Sequence, residues 1–213
     1  MTKLTTKDHA RIEEIAERFK ILDDMTKAAI EGKVRAMIVS GPPGVGKSYG
    51  VEQQVQKYSM FDRIAGQPLK SDVVKGSTSA VGLYCQLYKY SDPNCVLVFD
   101  DCDSILLDDV SLNLLKGALD SGDKRKISWL SDSSYLRKEH IPDQFDFKGT
   151  VIFITNLKFD QVKSKKLADH LDALQSRCHY IDLTLDSERD KFLRIKQIAD
   201  SGALFGKYDF SKA

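Results

Sequence analysis

The stretch Gly41-Pro42-Pro43-Gly44-Val45-Gly46-Lys47-Ser48 fits the pattern G-x-x-x-x-G-K-[ST] and follows the apolar run Ala36-Met37-Ile38-Val39. That arrangement predicts a buried strand feeding a phosphate-binding loop, with a helix beginning at the loop's end. Such a loop turns its backbone N–H groups around a di- or triphosphate. Glycines are needed because the chain must bend sharply and approach the phosphate oxygens closely. Lys47 would then neutralise the β- and γ-phosphates, and the Ser48 hydroxyl would be a magnesium ligand. The helix directs the positive end of its dipole at the same anion. The nucleotide-binding set expected here is Gly41, Pro42, Pro43, Gly44, Val45, Gly46, Lys47, Ser48 and Tyr49.

Upstream, the apolar period of Ile12, Ile15, Phe19, Leu22 and Met25 predicts a helix from Lys7 to Ile30, which Gly32 stops. Downstream, a helix from about Lys47 to Lys57 leads to a connection, Phe61 to Lys70, and a short strand over 71–76. Ser77, Thr78 and Ser79 offer caps for a helix carrying Val81, Leu83, Tyr84, Leu87 and Tyr88. The apolar run Cys95 to Phe99 reads as a strand that ends in Asp100 and Asp101. A helix from Val110 to Leu119, a turn at Ser121-Gly122-Asp123-Lys124 and a short extra strand from Ile127 to Leu130 come next. Ser131 to Lys148 reads as a polar surface excursion and Val151 to Asn156 as another buried strand. Gln161 to Leu174 is expected to be mainly helical, and His179 to Leu183 a last strand. A helix from Ser187 to Ala199 precedes a glycine-punctuated tail. Apolar runs alternating with helical patterns specify an α/β fold, a mainly parallel sheet with helices on both faces.

The 213 residues are enough for one sizeable core and a small appendage. Thirty-two Lys and Arg against thirty-one Asp and Glu leave a net charge of +1, so no global field recruits nucleic acid or a membrane. Cys85, Cys95, Cys102 and Cys178 show no C-x-x-C spacing and sit in or beside apolar segments, which fits free thiols in a reducing, cytoplasmic setting. No run approaches the ~20 apolar residues that span a bilayer.

In an open α/β sheet the C-terminal ends of the strands form the ligand crevice, so Asp100 and Asp101 should emerge beside the phosphate loop. Asp100 is expected to serve the magnesium ion and Asp101 to polarise the attacking water. Asn156 carries a donor and an acceptor on a short side chain, suited either to holding that water or to ordinary turn chemistry. Arg177 lies between a helix and a strand, where a guanidinium either stabilises charge on a transferred phosphoryl group or is simply exposed.

Taken in order, Gly41 to Ser48, Val96 to Asp101, Val151 to Asn156 and Ser176-Arg177-Cys178 resemble the AAA+ ATPases, over roughly residues 10 to 185. In that family these are Walker A, Walker B, sensor 1 and the arginine finger. The resemblance implies a P-loop three-layer sandwich that binds ATP and Mg2+. It assigns catalytic roles to Lys47, Asp101, Asn156 and Arg177, and metal contacts to Ser48 and Asp100. It implies a homo-oligomer, a hexameric ring above all, acting on a protein partner, with nucleic acid as an alternative because the Ser-Arg-Cys triplet is similar to that of clamp-loader ATPases. The chain departs from the family in having Asp101 where glutamate is usual, which keeps open an ATP-gated scaffold that does not turn over. Only about thirty residues follow Leu183, too few for the family's helical lid, and Arg189 and Arg194 are not assigned to the site. The expected division is a helical segment over 1–32, the ATPase core over 33–184 and a short helical remnant over 185–213. A substrate-gripping loop is sought at Ala80-Val81-Gly82-Leu83-Tyr84, although helical spacing makes Leu83 and Tyr84 core residues. Lys124, Arg125 and Lys126 beside Trp129 suit a phosphate backbone or, as the expectation here, a solvated turn.

Overall fold

Every residue of β1 (Ala36–Ser40), β3 (Val96–Asp100) and β6 (Thr150–Thr155) is buried, as continuous apolar runs in a parallel sheet covered on both faces must be. The computed structural model describes residues 4–120, 122, 124–159, 162, 164–185 and 187–202. With β2 (Ser71–Lys75) and β7 (His179–Asp182) these strands form a five-stranded sheet of order β2-β3-β6-β1-β7, parallel at every pairing.

Because successive side chains on a strand point to opposite faces, each strand serves two cores. Ile38, Leu97, Phe99, Val151 and Phe153 face one side. There they meet Leu83, Tyr84 and Leu87 of α3 (Ala80–Lys89), Leu112 and Leu115 of α5 (Asp109–Ala118), and Leu171 and Leu174 of α7 (Lys165–Gln175). Phe99 and Phe153 stack across β3 and β6 with centroids 5.2 Å apart. Met37, Val39, Val98, Ile152 and Ile154 face the other way. They pack on Ile15, Phe19 and Leu22 of α1 (Thr6–Ile30), Val51 and Val55 of α2 (Lys47–Ile64) and Leu193 of α8 (Glu188–Asp200). The result is a three-layer α/β sandwich, with the strands' C-terminal ends gathered on one edge.

Several elements differ from the sequence expectation. The helix α2 continues to Ile64 through part of the stretch read as a connection, because Val51, Val55 and Ser59 keep a buried helical face and the first breaker is Gly66. A short helix, α4 (Asp103–Leu107), follows β3 directly and buries Ile105 and Leu106. The excursion from Ser131 to Lys148 is structured. Ser133 caps α6 (Ser134–Lys138), and β5 (Gln144–Asp146) pairs antiparallel with β4 (Lys126–Ser128), which starts one residue before the expected strand. The polar composition hid this unit, but Leu136 and Phe147 are buried anchors within it.

Leu83 and Tyr84 are core residues, fully buried; the Tyr84 hydroxyl donates to the Pro142 carbonyl at 2.7 Å, and its ring packs against Trp129 and Phe145. The solvated-turn expectation fails at Arg125, which is only 8% exposed. Its guanidinium caps the carbonyl of Ala118 at the end of α5 and lies over the Phe147 ring, so packing against that ring removes it from water. Gln161, where a helix was expected to start, and Ser121 and Asp123 of the expected turn lie outside the described residues, as does the tail beyond Gly202. Among the described residues no helix is long and apolar enough to cross a membrane.

Candidate functional site

The loop between β1 and α2 is shaped by glycine. Gly46 has φ 96°, a left-handed conformation at the entry to α2 that a side chain would strain, and a Cβ on Gly41 would come within 3.1 Å of Leu183. Val45 is buried in the core beneath the loop and anchors it. Lys47, the first residue of α2, is 6% exposed, and its ammonium donates to the Gly41 carbonyl at 2.7 Å, the Pro42 carbonyl at 2.8 Å and Asn156 Oδ1 at 2.9 Å. Burial lowers its pKa, and Asp101, Asp100 and Asp103 pull it back up. Three acceptors match its three N–H groups, so a phosphate entering the loop would exchange for carbonyls already in place.

Asn156 follows β6 and joins two functional groups. While its oxygen accepts from Lys47, its Nδ2 donates to Asp101 Oδ1 at 2.9 Å. Asp101 follows β3 with φ 53°, a turn out of the strand that its backbone N–H secures on the Ile154 carbonyl. Burial, then the neighbouring charges of Asp100 and Asp103, raise the pKa of its carboxyl above the ordinary value.

Beside this chain of contacts the Ser48 hydroxyl donates to Asp100 Oδ1 at 2.8 Å. A hydroxyl and a buried carboxylate, both hard oxygen donors, suit magnesium. Among the described residues no group of three His, Cys, Asp or Glu side chains forms a metal cage, so an ion here would take its other ligands from water and phosphate. Lys75, at the end of β2, places its ammonium 3.3 Å from Asp100 Oδ2 and also pairs with Glu52. The parallel register sets Lys75 directly opposite Asp100. Sequence reading missed this lysine, since only the β2–β3 pairing brings it to the carboxylate.

Pro43, Gly44, Gly46, Lys47, Ser48, Tyr49, Asp101 and Asn156 line a cavity of about 300 Å³. Gly44, Gly46 and Tyr49 also border a second cavity of about 670 Å³ between α1, α2 and α8, lined further by Phe19, Asp23, Arg194 and Gln197. Arg194 was likewise left out of the site by sequence reading. Its guanidinium lies 3.4 Å from the Phe19 ring centroid, and its Nε donates to the Val45 carbonyl in the loop at 3.2 Å. Burial pushes its pKa down to about 10. The helix that carries it is fastened to α1 by two crossed pairs, Arg11 to Asp190 and Arg189 to Asp8, each with two nitrogen-to-oxygen bonds.

The loop residues, Asp100, Asp101 and Asn156 therefore meet, whereas Arg177 stands apart. It is exposed, lines neither of these cavities, and donates to the Ala173 carbonyl in the last turn of the preceding helix α7 at 2.6 Å.

Residues 37–173 match the ATPase family associated with various cellular activities (AAA). The chain belongs to the AAA family. An uncharacterized 36.7 kDa protein in the nrdC-mobD intergenic region of Enterobacteria phage T4 is 38% identical over 199 residues, covering 92% of this chain. This AAA chain spans 59% of that relative's length. The solved structure of C. elegans PCH-2 is similar with a TM-score of 0.38 at 14% identity, over 97% of this chain and 49% of that one.

Proposed function

We propose that this AAA module binds ATP with Mg2+ on residues Gly41 to Tyr49 and hydrolyses it. The observation that carries the reading is the hydrogen-bonded series from Lys47 through Asn156 to Asp101, set beside the Ser48–Asp100 pair. Lys47 would hold the terminal phosphates, and Asp101 would accept the proton of a water oriented by Asn156 as that water's oxygen attacks the γ-phosphorus and the bond to the β-phosphate oxygen breaks. Ser48 and Asp100 would hold Mg2+, which when bound would supply charge neutralisation to the phosphates. The second cavity, with Arg194 and Asp23 on its wall, has room for the nucleoside.

We read the working form as a cytoplasmic ring, hexameric by preference, in which Arg177 of one copy completes the site of the next and nucleotide state drives remodelling of a protein partner. In this reading residues 33–184 are the ATPase core, on which the helices α1 before it and α8 after it pack. Steady-state ATP hydrolysis measured against protein concentration, with sizing of the same samples, tests it. Specific activity should rise as a larger assembly forms and should collapse in Asp101→Asn.

A second reading is an ATP-gated scaffold without turnover. It is favoured by Asp101 itself, a shorter carboxylate than glutamate and already engaged with Asn156. Assembly on ATP without phosphate release would establish that reading over hydrolysis. A nucleic-acid transaction ATPase, the reading suggested by Ser176-Arg177-Cys178, would instead show turnover stimulated by DNA or RNA and lost steeply with salt.

A further inference from the structure

Four cations converge at the end of the sheet away from the phosphate loop. Arg35 immediately precedes β1, Lys148 lies just before β6, and Lys124 and Arg125 lead into β4. The five residues of β1 separate this end from Gly41, a span of about 17 Å. With Asp146 and Phe147 these residues line a cleft of about 100 Å³.

Arg125 is the unusual member. It is 8% exposed, yet its contacts are the Ala118 carbonyl at 3.1 Å and the face of the Phe147 ring. Neither carries a formal negative charge, and among the described residues no carboxylate forms an ion pair with it. Burial first, and then repulsion from Arg35, push its pKa down to about 10. Buried arginines ordinarily sit against a carboxylate because an unpaired charge costs much to desolvate. Here the neighbouring charge that acts on it is a second cation, Arg35, which also donates to the Gly122 carbonyl at 3.2 Å. Asp146 opposes this field from the cleft wall, but it is exposed.

We propose that this cleft is a second anion site that takes one phosphate group, with Arg125 at its floor and Lys124, Lys148 and Arg35 at its rim. One guanidinium N–H is spent on Ala118, which leaves the rest of the planar fork for phosphate oxygens. The phosphate belongs either to a nucleic-acid backbone or to a free phosphorylated compound. Trp129 plays no stacking part, because it is half-buried and packs against Tyr84. The site shares no residue with the phosphate loop, so it stands apart from the ATPase reading.

Binding is measured on the full chain carrying Lys47→Ala, which silences the phosphate loop. The probes are inorganic phosphate, followed by phosphorus NMR, and a short fluorescein-labelled single-stranded DNA, followed by anisotropy at several salt concentrations. Lys124→Ala combined with Lys148→Ala should weaken binding about tenfold, and Asp146→Asn should strengthen it about threefold. All three side chains are exposed, so the fold should be kept, which melting curves verify. Asp132→Asn, on the exposed stretch before α6, is the control and should change nothing. Salt-sensitive binding of the DNA that follows these shifts assigns the site to a phosphodiester, and binding of phosphate alone with the same shifts assigns it to a free phosphorylated compound. No binding of either probe, or binding indifferent to the cleft substitutions, overturns the proposal and leaves Arg125 as a cap on α5.

Discussion

The phosphate loop and Arg177 were read from the same chain as parts of one site, and the fold treats them in opposite ways. At the loop, side chains from α2 and from the ends of β3 and β6 meet within hydrogen-bond distance, and each polar head has a partner from another element. Among the described residues the Arg177 side chain holds only a carbonyl one turn back, in the end of the preceding helix α7. A group whose partner lies within the chain is already satisfied in the isolated molecule. The remaining donors of an exposed arginine face solvent, and it is on these that the proposed role in a neighbouring copy would draw.

The largest effect should come from breaking that contrast directly. Arg177→Ala should lower ATP turnover by about 10³-fold or more, the magnitude expected of a trans-acting arginine on phosphoryl transfer, while nucleotide affinity stays within about twofold. Its exposed position makes a folding defect an unsuitable explanation for such a loss. Mixing Arg177→Ala with Asp101→Asn sharpens the test, because interfaces that pair an intact Arg177 with an intact Asp101 should recover part of the activity. Asn is a mild choice at position 101, since it tolerates the left-handed φ of 53° there. Full turnover by Arg177→Ala alone would remove the distinction between the two regions.

Arg194 sits on the satisfied side, and its loss should be smaller. Arg194→Ala removes the bond to Val45 and the packing on Phe19 together. A fluorescent nucleotide titration should report affinity weakened about tenfold, and the nucleotide-free protein should melt at a lower temperature. Unchanged affinity with a lowered melting point would make Arg194 a purely structural tie between α8 and the loop.

The pairs that hold α8 on α1 predict a pH dependence. Arg189 holds the Asp8 carboxyl well below the usual carboxylate range, and Arg11 lowers that of Asp190. A carboxyl whose folded pKa lies below its unfolded value stabilises the fold above the unfolded pKa and loses that contribution as pH falls through the folded one. Asp8→Asn combined with Asp190→Asn should therefore melt below the parent near neutrality, and the two curves should converge as pH drops below about 4. A constant gap across that range would show that the pairs act through shape rather than charge.

The sheet and the phosphate loop were legible because buried parallel strands are written as unbroken apolar runs, and because a loop with glycines at fixed offsets has few other uses. Asp100, Asp101 and Asn156 followed by position, since the strand ends of such a sheet must share one edge. What escaped was set by contacts between distant segments. The short helices α4 and α6 and the strand β5 that pairs with the expected β4 are too brief to show a period. Arg125 lies in a run of charged residues and is buried only because Phe147, more than twenty positions later, closes over it. The link from Arg194 to Val45 spans 149 positions and leaves no local trace.

The smallest expected effect concerns Lys75, the one cation that faces the Ser48–Asp100 pair from β2. Its side chain is 57% exposed with the ammonium 3.3 Å from Asp100, and the stronger tie to Glu52 raises its pKa, so it stays charged at neutral pH. A lysine in that place neutralises the carboxylate that a divalent ion would need, and the two cations compete for one charge. Lys75→Ala should then strengthen Mn2+ binding by the nucleotide-free protein about threefold, as read by electron paramagnetic resonance, because an exposed ion pair is worth little more than that. The opposite outcome has a different physical cause. If Mn2+ binds more weakly in the variant, Lys75 orients Asp100 toward Ser48, and the lysine belongs among the groups already satisfied within the chain.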